Sequence, residues 1–188
     1  LEGVKVVGVP KTMDNDVNET EYTIGFDSAC GVVVDALDRL HTTASSHHRV
    51  IVVEVMGRDA GWVAVNSGLA GGADFIFVPE VQTTLAECVQ HLLRRQAMGK
   101  TSSIVVVSEG AHIPEIEADD AAAAKKLDDF GHVRLDARGL GERVAKKLED
   151  MSKLETRFVV LGHIQRGGSP SAFDRLLATR TGVAAVDL

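Results

Sequence analysis

Cysteines and long apolar runs are scarce in this chain of 188 residues, and its 20 basic residues are outnumbered by 27 acidic ones. The formal net charge of −7 argues against a nucleic-acid partner, which would require a basic surface. The two cysteines, Cys30 and Cys88, lack metal-ligand spacing and do not make a disulfide framework, so we predict two reduced thiols. No apolar run approaches the roughly 18 residues of a membrane-spanning helix, so we expect no membrane partner.

The chain does contain enough apolar residues, 45%, to build a core, and this share argues against disorder. Its length allows one ordinary domain or parts of two. An acidic protein can still bind a small anion where a few arginines converge. Individual arginines therefore carry more information here than the total charge.

Short apolar runs alternate with amphipathic stretches along most of the chain. Near-continuous β-branched runs predict buried strands, which cover residues 4–9, 49–57, 74–80 and 102–112 and the start of 157–168. Helical periodicity predicts helices, which cover a segment from Thr23, as N-cap, to about His47 and residues 60–73, 84–99 and 171–188. The alternation predicts an α/β fold with a mainly parallel sheet flanked by helices.

Residues 112–135 interrupt this alternation. The segment is acidic, rich in alanine and poor in large apolar residues, so we predict a partly helical excursion on the surface. The stretch "GLGERV" at 139–144 lacks the third glycine of a dinucleotide fingerprint and is expected to begin a helix. His47 and His48 are adjacent and do not share a helix face, which favours a helix C-terminus over a metal site.

Charged residues and glycines gather directly after the predicted strands. In an open parallel sheet, the carboxyl ends of the strands meet at one edge, and ligands bind there. The residues expected to meet at this edge are Lys11, Thr12, Asp14, Asp16, Met56, Gly57, Arg58, Glu80, Glu109, His163, Arg166, Gly167 and Gly168. Their convergence is the main sign of a functional site in the sequence.

Asp14 and Asp16 are spaced so that an extended loop directs both side chains to the same side. Such a pair is suited to hold Mg²⁺, with Asp16 as the candidate ligand, or to supply a general base. A solvated Asx turn would use the same residues without any chemistry. Both interpretations stay open at this point, although the adjacent Lys11 favours the functional one.

Two glycine-containing turns are suited to bind anions. "MGRDAG" places Gly57 and Arg58 at a strand-to-helix turn, where backbone N–H groups and a guanidinium fit phosphate oxygens. "GHIQRGG" places His163 and Arg166 at the mouth of a strand, beside glycines that allow close approach. The alternatives are an ordinary turn with a surface arginine, and a loop histidine and arginine with structural roles.

Four motifs, in this order, resemble the phosphofructokinase family: "PKTMDND", "VVEVMGRDAGW", "SEGAH" and "VLGHIQRGGSPSAFDR". The resemblance covers nearly the whole chain and implies a phosphofructokinase-like fold. It also implies a glycolytic, cytoplasmic enzyme that transfers a phosphoryl group to the 1-hydroxyl of fructose 6-phosphate, giving fructose 1,6-bisphosphate. "PKT", with Lys11, resembles pyrophosphate-dependent enzymes and a mixed group that includes ATP users. We expect pyrophosphate as the donor, with ATP as the alternative.

The resemblance implies roles for residues at the matching positions. Asp14 is expected to be the general base, with Lys11 and Arg58 as further catalytic residues at the transferring phosphoryl group. The expected substrate-binding residues are Thr12, Asp16, Arg49, Met56, Gly57, Glu109, Arg157, His163 and Arg166. Arg49 and Arg157 match arginines that reach the site of a neighbouring subunit, which implies a homo-oligomer with shared active sites. Mg²⁺ is the expected cofactor.

By the same resemblance, residues 1–22 would be the end of a donor-binding domain that carries the catalytic loop. Residues 23–188 would be the fructose 6-phosphate-binding domain. The family's glycine-rich donor-binding segment and C-terminal end are expected outside this chain, so we expect the chain alone to be inactive. Two other classes stay open: a catalytically silent sugar-phosphate-binding subunit and a structural α/β domain. A silent copy is free to lose Asp14 or Arg58, and this chain keeps both.

Overall fold

A computed structural model describes residues 3–120 and 139–188 of the chain. Its centre is a four-stranded sheet in which every described pair of neighbouring strands is parallel. The strands are β1 (Val50–Val55), β2 (Phe75–Phe77), β3 (Ser103–Ser108) and β4 (Thr156–Val160), in the spatial order β2-β3-β1-β4. The prediction of an α/β fold with a parallel sheet is confirmed.

Helices alternate with the strands and flank the sheet. They are α1 (Phe26–His47), α2 (Trp62–Ala70), α3 (Leu85–Ala97), α4 (Pro114–Asp120), α5 (Leu140–Ser152) and α6 (Ala172–Asp187), and a 3₁₀ helix, Gly162–Arg166, follows β4. Helices α3 and α6 begin later than predicted because Thr84 and Ser171 stand outside them as capping residues. Within residues 3–120 and 139–188, none of the helices is long and apolar enough to cross a membrane.

Strands β1 and β3 are covered on both faces, as their β-branched sequences predict. Every residue of the two strands is buried. Successive residues face opposite sides: Val52 packs in a cluster with α3 and α5, whereas Val53 packs in a cluster with α1 and α2. The one charged residue of the two strands, Glu54, accepts a hydrogen bond of 2.5 Å from the N–H of Gly141 at the start of α5. The sheet is therefore a rigid platform for the loops at its ends.

Both cysteines are free thiols, as predicted. Cys88 lies fully buried in the cluster of α3 and α5, and Cys30 packs against the cluster of α1 and α2. Burial raises the pKa of each thiol to about 12. Neither is a thiolate near neutral pH, so neither is an activated nucleophile.

Residues 4–9 do not form the predicted buried strand. Val4, Val6 and Val7 are 62%, 68% and 45% exposed, and the segment joins none of the strands in the described sheet. The nearest pairing is an isolated bridge between Lys11 and Ile24. An apolar sequence favours a strand, but a strand also needs a hydrogen-bonded neighbour and a covering layer, and the described residues supply neither here.

The predicted N-cap of α1 is also wrong. The helix begins at Phe26, and Gly25 precedes it with φ of 105°, a backbone conformation that favours glycine. Thr23 instead donates its hydroxyl to the carbonyl oxygen of Thr12 at 2.5 Å. The threonine therefore holds a loop rather than capping the helix that follows it.

The prediction of partly helical structure in residues 112–135 is confirmed by α4, but the predicted surface position is wrong at the start of the segment, and residues 121–135 lie outside the described residues. Ile113 and Ile116 are fully buried and belong to the cluster of α3 and α5. The prediction rested on the low apolar content of the whole segment. It overlooked these two isoleucines at helical spacing, which attach α4 to the core.

Candidate functional site

A cavity of about 450 Å³ opens where residues 11–14, the start of α1 and the loop after the 3₁₀ helix meet. Its charged and hydroxyl-bearing lining residues are Lys11, Thr12, Asp14, Ser28 and Arg166. All of these except Ser28 are site residues predicted from the sequence. The volume falls within the roughly 300–1,000 Å³ that is usual for small-molecule sites.

The loop that carries Asp14 is held in shape by Thr12 and Asn15. The hydroxyl of Thr12 accepts a hydrogen bond of 3.1 Å from the N–H of Asp14 and lies 3.5 Å from its Oδ2. Asn15 has a positive φ of 56°, and its side-chain oxygen accepts a 2.8 Å hydrogen bond from the N–H of Thr23. The Thr12 bond, to the N–H two residues on, is that of an ST turn, whereas the Asn15 bond ties the loop to a residue eight positions away. Neither of these bonds uses Oδ1 of Asp14.

Oδ1 of Asp14 is a buried atom with no hydrogen-bond partner among the described residues. Leaving a buried polar atom unpaired costs about 1–3 kcal/mol, so most such atoms in proteins are paired. Asp14 lines the cavity, and a carboxylate whose hydrogen bonds are incomplete is suited to accept a proton or to bind a ligand.

The electrostatic surroundings of Asp14 favour a base. Burial raises the pKa of Asp14 above its ordinary value, and the Asp16 carboxylate raises it further. Arg166, the Thr12 hydroxyl and Arg58 act in the opposite direction but do not cancel the increase. Asp14 is therefore a stronger proton acceptor than an ordinary aspartate, with two guanidinium groups close enough to act on its charge.

The turn after β1 does not line the cavity but is joined to it, because the N–H of Met56 donates to the side chain of Gln165, a lining residue. The N–H of Gly57 donates to Oε1 of Glu109 at 3.3 Å, and Ser108 donates its hydroxyl to the Gly57 carbonyl at 3.1 Å. Gly57 has φ of 137°, and a Cβ there would lie 2.6 Å from the carbonyl oxygen of Ala60. Only glycine fits at this point, so the turn presents Met56 and Arg58 on a fixed backbone.

Glu109 lies in the same electrostatic neighbourhood as Asp14. Burial raises the pKa of Glu109, and the Glu54 and Asp14 carboxylates add to the increase. The Gly57 N–H and the Arg166 guanidinium lower it in part. The structure thus brings together the ends of β1 and β3, the Asp14 loop and the arginine that follows β4.

A comparison with known proteins decides the family. The phosphofructokinase family profile matches residues 1–188. This chain belongs to the phosphofructokinase family. The pyrophosphate–fructose 6-phosphate 1-phosphotransferase of Streptomyces coelicolor is 54% identical over 185 residues, 98% of this chain and 53% of that protein. The ATP-dependent 6-phosphofructokinase of Corynebacterium efficiens is 51% identical over 183 residues, 97% of this chain and 52% of that protein.

The chain spans about half the length of these curated phosphofructokinases. Among solved structures, the phosphofructokinase of Saccharomyces cerevisiae matches with a TM-score of 0.75 and 34% identity, over 94% of this chain and 21% of that one. A pyrophosphate-dependent phosphofructokinase of Nitrosospira multiformis matches with a TM-score of 0.75 and 27% identity, over 95% and 43%. Relatives named for different donors are almost equally similar, so similarity leaves the donor undecided.

Arg49 and Arg157 do not lie at the cavity. Arg49 directly precedes β1 and Arg157 is the second residue of β4, so both occupy the amino edge of the parallel sheet. Their Nη2 atoms lie 2.9 and 2.7 Å from Oε1 of Glu155. Within one phosphofructokinase chain, therefore, these two arginines are separated from Asp14 by the length of the strands.

The remaining predicted residues lie around the cavity rather than in it. Asp16 is exposed and lines a neighbouring cleft of about 840 Å³. His163 is exposed and is not among the residues that line the cavity of Asp14. Glu80 accepts a hydrogen bond of 2.7 Å from the N–H of Gly61, so it holds the start of α2.

Two buried polar residues near the cavity were not predicted from the sequence. Gln165 is 2% exposed, and its side chain accepts from the N–H of Met56 at 3.3 Å and donates to the Gly162 carbonyl at 3.0 Å. Asp174, also 2% exposed, bonds to the start of α1. Both stand inside the motif that carries the family resemblance, but their partners are 109 and 146–149 residues away, which no local pattern reveals.

We expect Glu109→Gln to raise the melting temperature. The raised pKa means that the folded state disfavours the charged carboxylate. That cost is absent below the ordinary glutamate pKa and fully present above the raised one. Glutamine keeps an oxygen for the Gly57 N–H, so the gain should be larger near pH 8 than near pH 4. Thermal unfolding at both pH values tests this. Glu142→Gln, at an exposed position of α5, is the control, and an equal gain there would contradict the explanation.

Proposed function

We propose that the protein transfers a phosphoryl group from pyrophosphate to the 1-hydroxyl of fructose 6-phosphate, with Asp14 as the general base. One observation carries the proposal: Asp14, whose buried Oδ1 has no partner among the described residues, lines the same cavity as Lys11 and Arg166. The ATP-dependent reaction is the alternative, and the name of the Corynebacterium efficiens relative favours it.

In this mechanism the O–H bond of the 1-hydroxyl breaks and its proton passes to the carboxylate of Asp14. The hydroxyl oxygen bonds to phosphorus, and the bond from phosphorus to the leaving phosphate breaks. Phosphoryl transfer depends mainly on positioning and on neutralising charge. Arg58 lies close enough to Asp14 to lower its pKa, and Lys11 lines the cavity. Both cations are therefore suited to neutralise the negative charge of the transferring phosphoryl group.

The 6-phosphate would be bound by Arg166, with His163 on the same 3₁₀ helix. Because Arg49 and Arg157 lie at the opposite edge of the sheet, they would serve the site of a neighbouring subunit. The proposal therefore includes a homo-oligomer with shared active sites. Sedimentation of the full-length protein tests this, and an active monomer would contradict it.

Mg²⁺ is the proposed cofactor, and it would neutralise charge on the donor phosphates. Among the residues that the structure describes, no three metal-ligating side chains come together. Mg²⁺ commonly takes only one or two carboxylates and completes its coordination with substrate phosphates and water. The exposed carboxylate of Asp16, beside the Asp14 loop, fits that arrangement.

The domain division follows from the same roles. Residues 1–22 would end a donor-binding domain and supply the catalytic loop, and residues 23–188 would form the fructose 6-phosphate-binding domain. The protein would act in glycolysis, in the cytoplasm.

The donor is tested by separate assays of the full-length protein with pyrophosphate and with ATP, in the presence of Mg²⁺ and fructose 6-phosphate. We expect fructose 1,6-bisphosphate with pyrophosphate only. We also expect Lys11→Gly to lower the pyrophosphate-dependent kcat/KM by about 10²-fold, since a cation next to the donor phosphate is lost. Lys5→Gly removes an exposed lysine from the segment before the loop and serves as the control.

Product with ATP only would replace the donor in the proposal and leave the rest unchanged. Binding of fructose 6-phosphate without product from either donor would overturn the catalytic proposal and indicate a silent sugar-phosphate-binding subunit.

A further inference from the structure

Asp174 is a buried carboxylate whose partners are all at the start of another helix. It lies in the first turn of α6 and is 2% exposed. Oδ1 accepts a 2.8 Å hydrogen bond from the N–H of Gly25, and Oδ2 accepts from the N–H and the hydroxyl of Ser28 at 2.8 and 2.5 Å. A buried carboxylate is tolerated only when it is bonded in this way.

This contact replaces a local cap. Helix α1 has no side-chain cap of its own, because Gly25 stands at its N-cap position. The first N–H groups of a helix lack partners within the helix and carry partial positive charge, so a carboxylate stabilises them. Here the carboxylate comes from α6, so its hydrogen bonds join the start of α6 to the start of α1.

The link between the helices runs in both directions. The hydroxyl of Ser28, while donating to Asp174, accepts a 2.9 Å hydrogen bond from the N–H of Ser171. Ser171 in turn accepts from the N–H of Asp174 at 3.1 Å. The last residue before α6 is therefore fixed against the first turn of α1.

Both sides of the cavity are attached to these joined starts of α1 and α6. On one side, Thr23 bonds to the carbonyl of Thr12 and to Asn15, which hold the loop of Asp14. On the other side, the loop from Arg166 runs through two glycines to Ser171. The distance from the proposed base to the proposed phosphate-binding arginine thus depends on residues 23–28.

We propose that Asp174 is a positioning residue that sets Arg166 relative to Asp14. Asp174 touches no substrate and acts by holding the loop after Arg166 against the start of α1. The inference rests on the proposed function, because it requires Arg166 to bind the sugar phosphate. Small displacements of such a group are costly, since an error of 1 Å can reduce a rate by about 10²-fold.

The test is a double-mutant cycle in the full-length protein. Asp174→Asn places an N–H₂ group where Oδ2 accepted two hydrogen bonds, and we expect it to raise the KM for fructose 6-phosphate by about 10-fold. In the Arg166→Ala background the same change should raise KM by less than about 3-fold, because the group being positioned is gone. Ser28→Ala, which leaves the backbone bonds to Asp174, should act in the same direction by about 3-fold.

Glu115→Gln is the matched control. Glu115 accepts hydrogen bonds of 3.0 and 3.4 Å from the N–H groups of Leu85 and Ala86, so it also caps a helix from a distance. This variant should lower the melting temperature without changing KM. Equal KM effects of Asp174→Asn in both backgrounds, or a change in melting temperature alone, would overturn the inference.

Hydrogen exchange separates this inference from the proposed function. We expect Asp174→Asn and Ser28→Ala to speed amide exchange in residues 12–16 and 167–171, and Glu115→Gln to leave both segments unchanged. Unchanged exchange in Asp174→Asn would overturn the inference. A native protein with no turnover would overturn the proposed function, while the exchange rates would still decide whether Asp174 joins the two segments.

Discussion

Asp14→Asn is expected to reduce the kcat for fructose 6-phosphate phosphorylation by about 10²–10⁴-fold, the usual contribution of a general base. The change removes the only group that the mechanism uses to accept the proton of the 1-hydroxyl. It keeps the shape of the side chain and an oxygen for Thr12, so the loop should persist. The KM for fructose 6-phosphate should change by less than about 3-fold, because the base acts mainly in the transition state.

Steady-state kinetics of the full-length protein measure this effect. Asp38→Asn, at an exposed position of α1, makes the same chemical change away from the cavity and should leave kcat unchanged. Circular dichroism of both variants excludes unfolding as the cause. A kcat for Asp14→Asn within about 3-fold of the native value would contradict the assignment of Asp14 as the general base, since general-base catalysis contributes far more.

The sheet could be predicted because its strands satisfy a simple rule. Residues 50–55 and 103–108 are almost wholly β-branched and apolar, and in the structure they are buried on both faces. Residues 4–9 also contain four valines in six positions, yet they stay exposed and unpaired within the described sheet. Composition indicates that a segment is able to form a strand. Whether it joins a sheet depends on neighbouring strands, which a local sequence pattern does not reveal.

The candidate site was predictable to a similar extent. Arg166 follows β4 at the carboxyl edge of the parallel sheet, as the rule for such sheets predicts. Lys11, Thr12 and Asp14 reach the same cavity without a preceding strand in the described part of the chain, because Thr23 holds their loop at the start of α1. Asp174 was not predictable in this way. Its role depends on hydrogen bonds to residues 146–149 positions away, and an aspartate near a helix start reads locally as an ordinary capping residue.

The partly buried carboxylates of Asp14 and Glu109 lower the stability of the folded protein. Asp14 and Glu109 both have pKa values raised mainly by burial, and the Asp14 carboxylate adds to the increase at Glu109. In the absence of substrate, the positive charge of Arg166 is the common partner of the two. A sugar phosphate would compete for that guanidinium, so binding and the basicity of Asp14 should be coupled.

We expect Arg166→Ala to weaken fructose 6-phosphate binding by about 2–5 kcal/mol, which is roughly 30-fold to several thousand-fold in Kd. A guanidinium offers paired donors that fit phosphate oxygens, and an acidic protein has few cations to replace it. Isothermal titration of the full-length protein with fructose 6-phosphate, without a donor, measures the change directly.

Arg180→Ala is the matched control, because it removes an exposed arginine from α6 and changes the net charge equally. If long-range attraction to total charge governed binding, both variants would weaken it alike, and added salt would reduce the difference from the native protein. If Arg166 binds the 6-phosphate, only its own variant loses affinity, and fructose without the phosphate binds both variants equally weakly. An unchanged Kd in Arg166→Ala would contradict the assignment, and the 6-phosphate would then have to be bound by other cations, such as Arg49 and Arg157 of a neighbouring subunit.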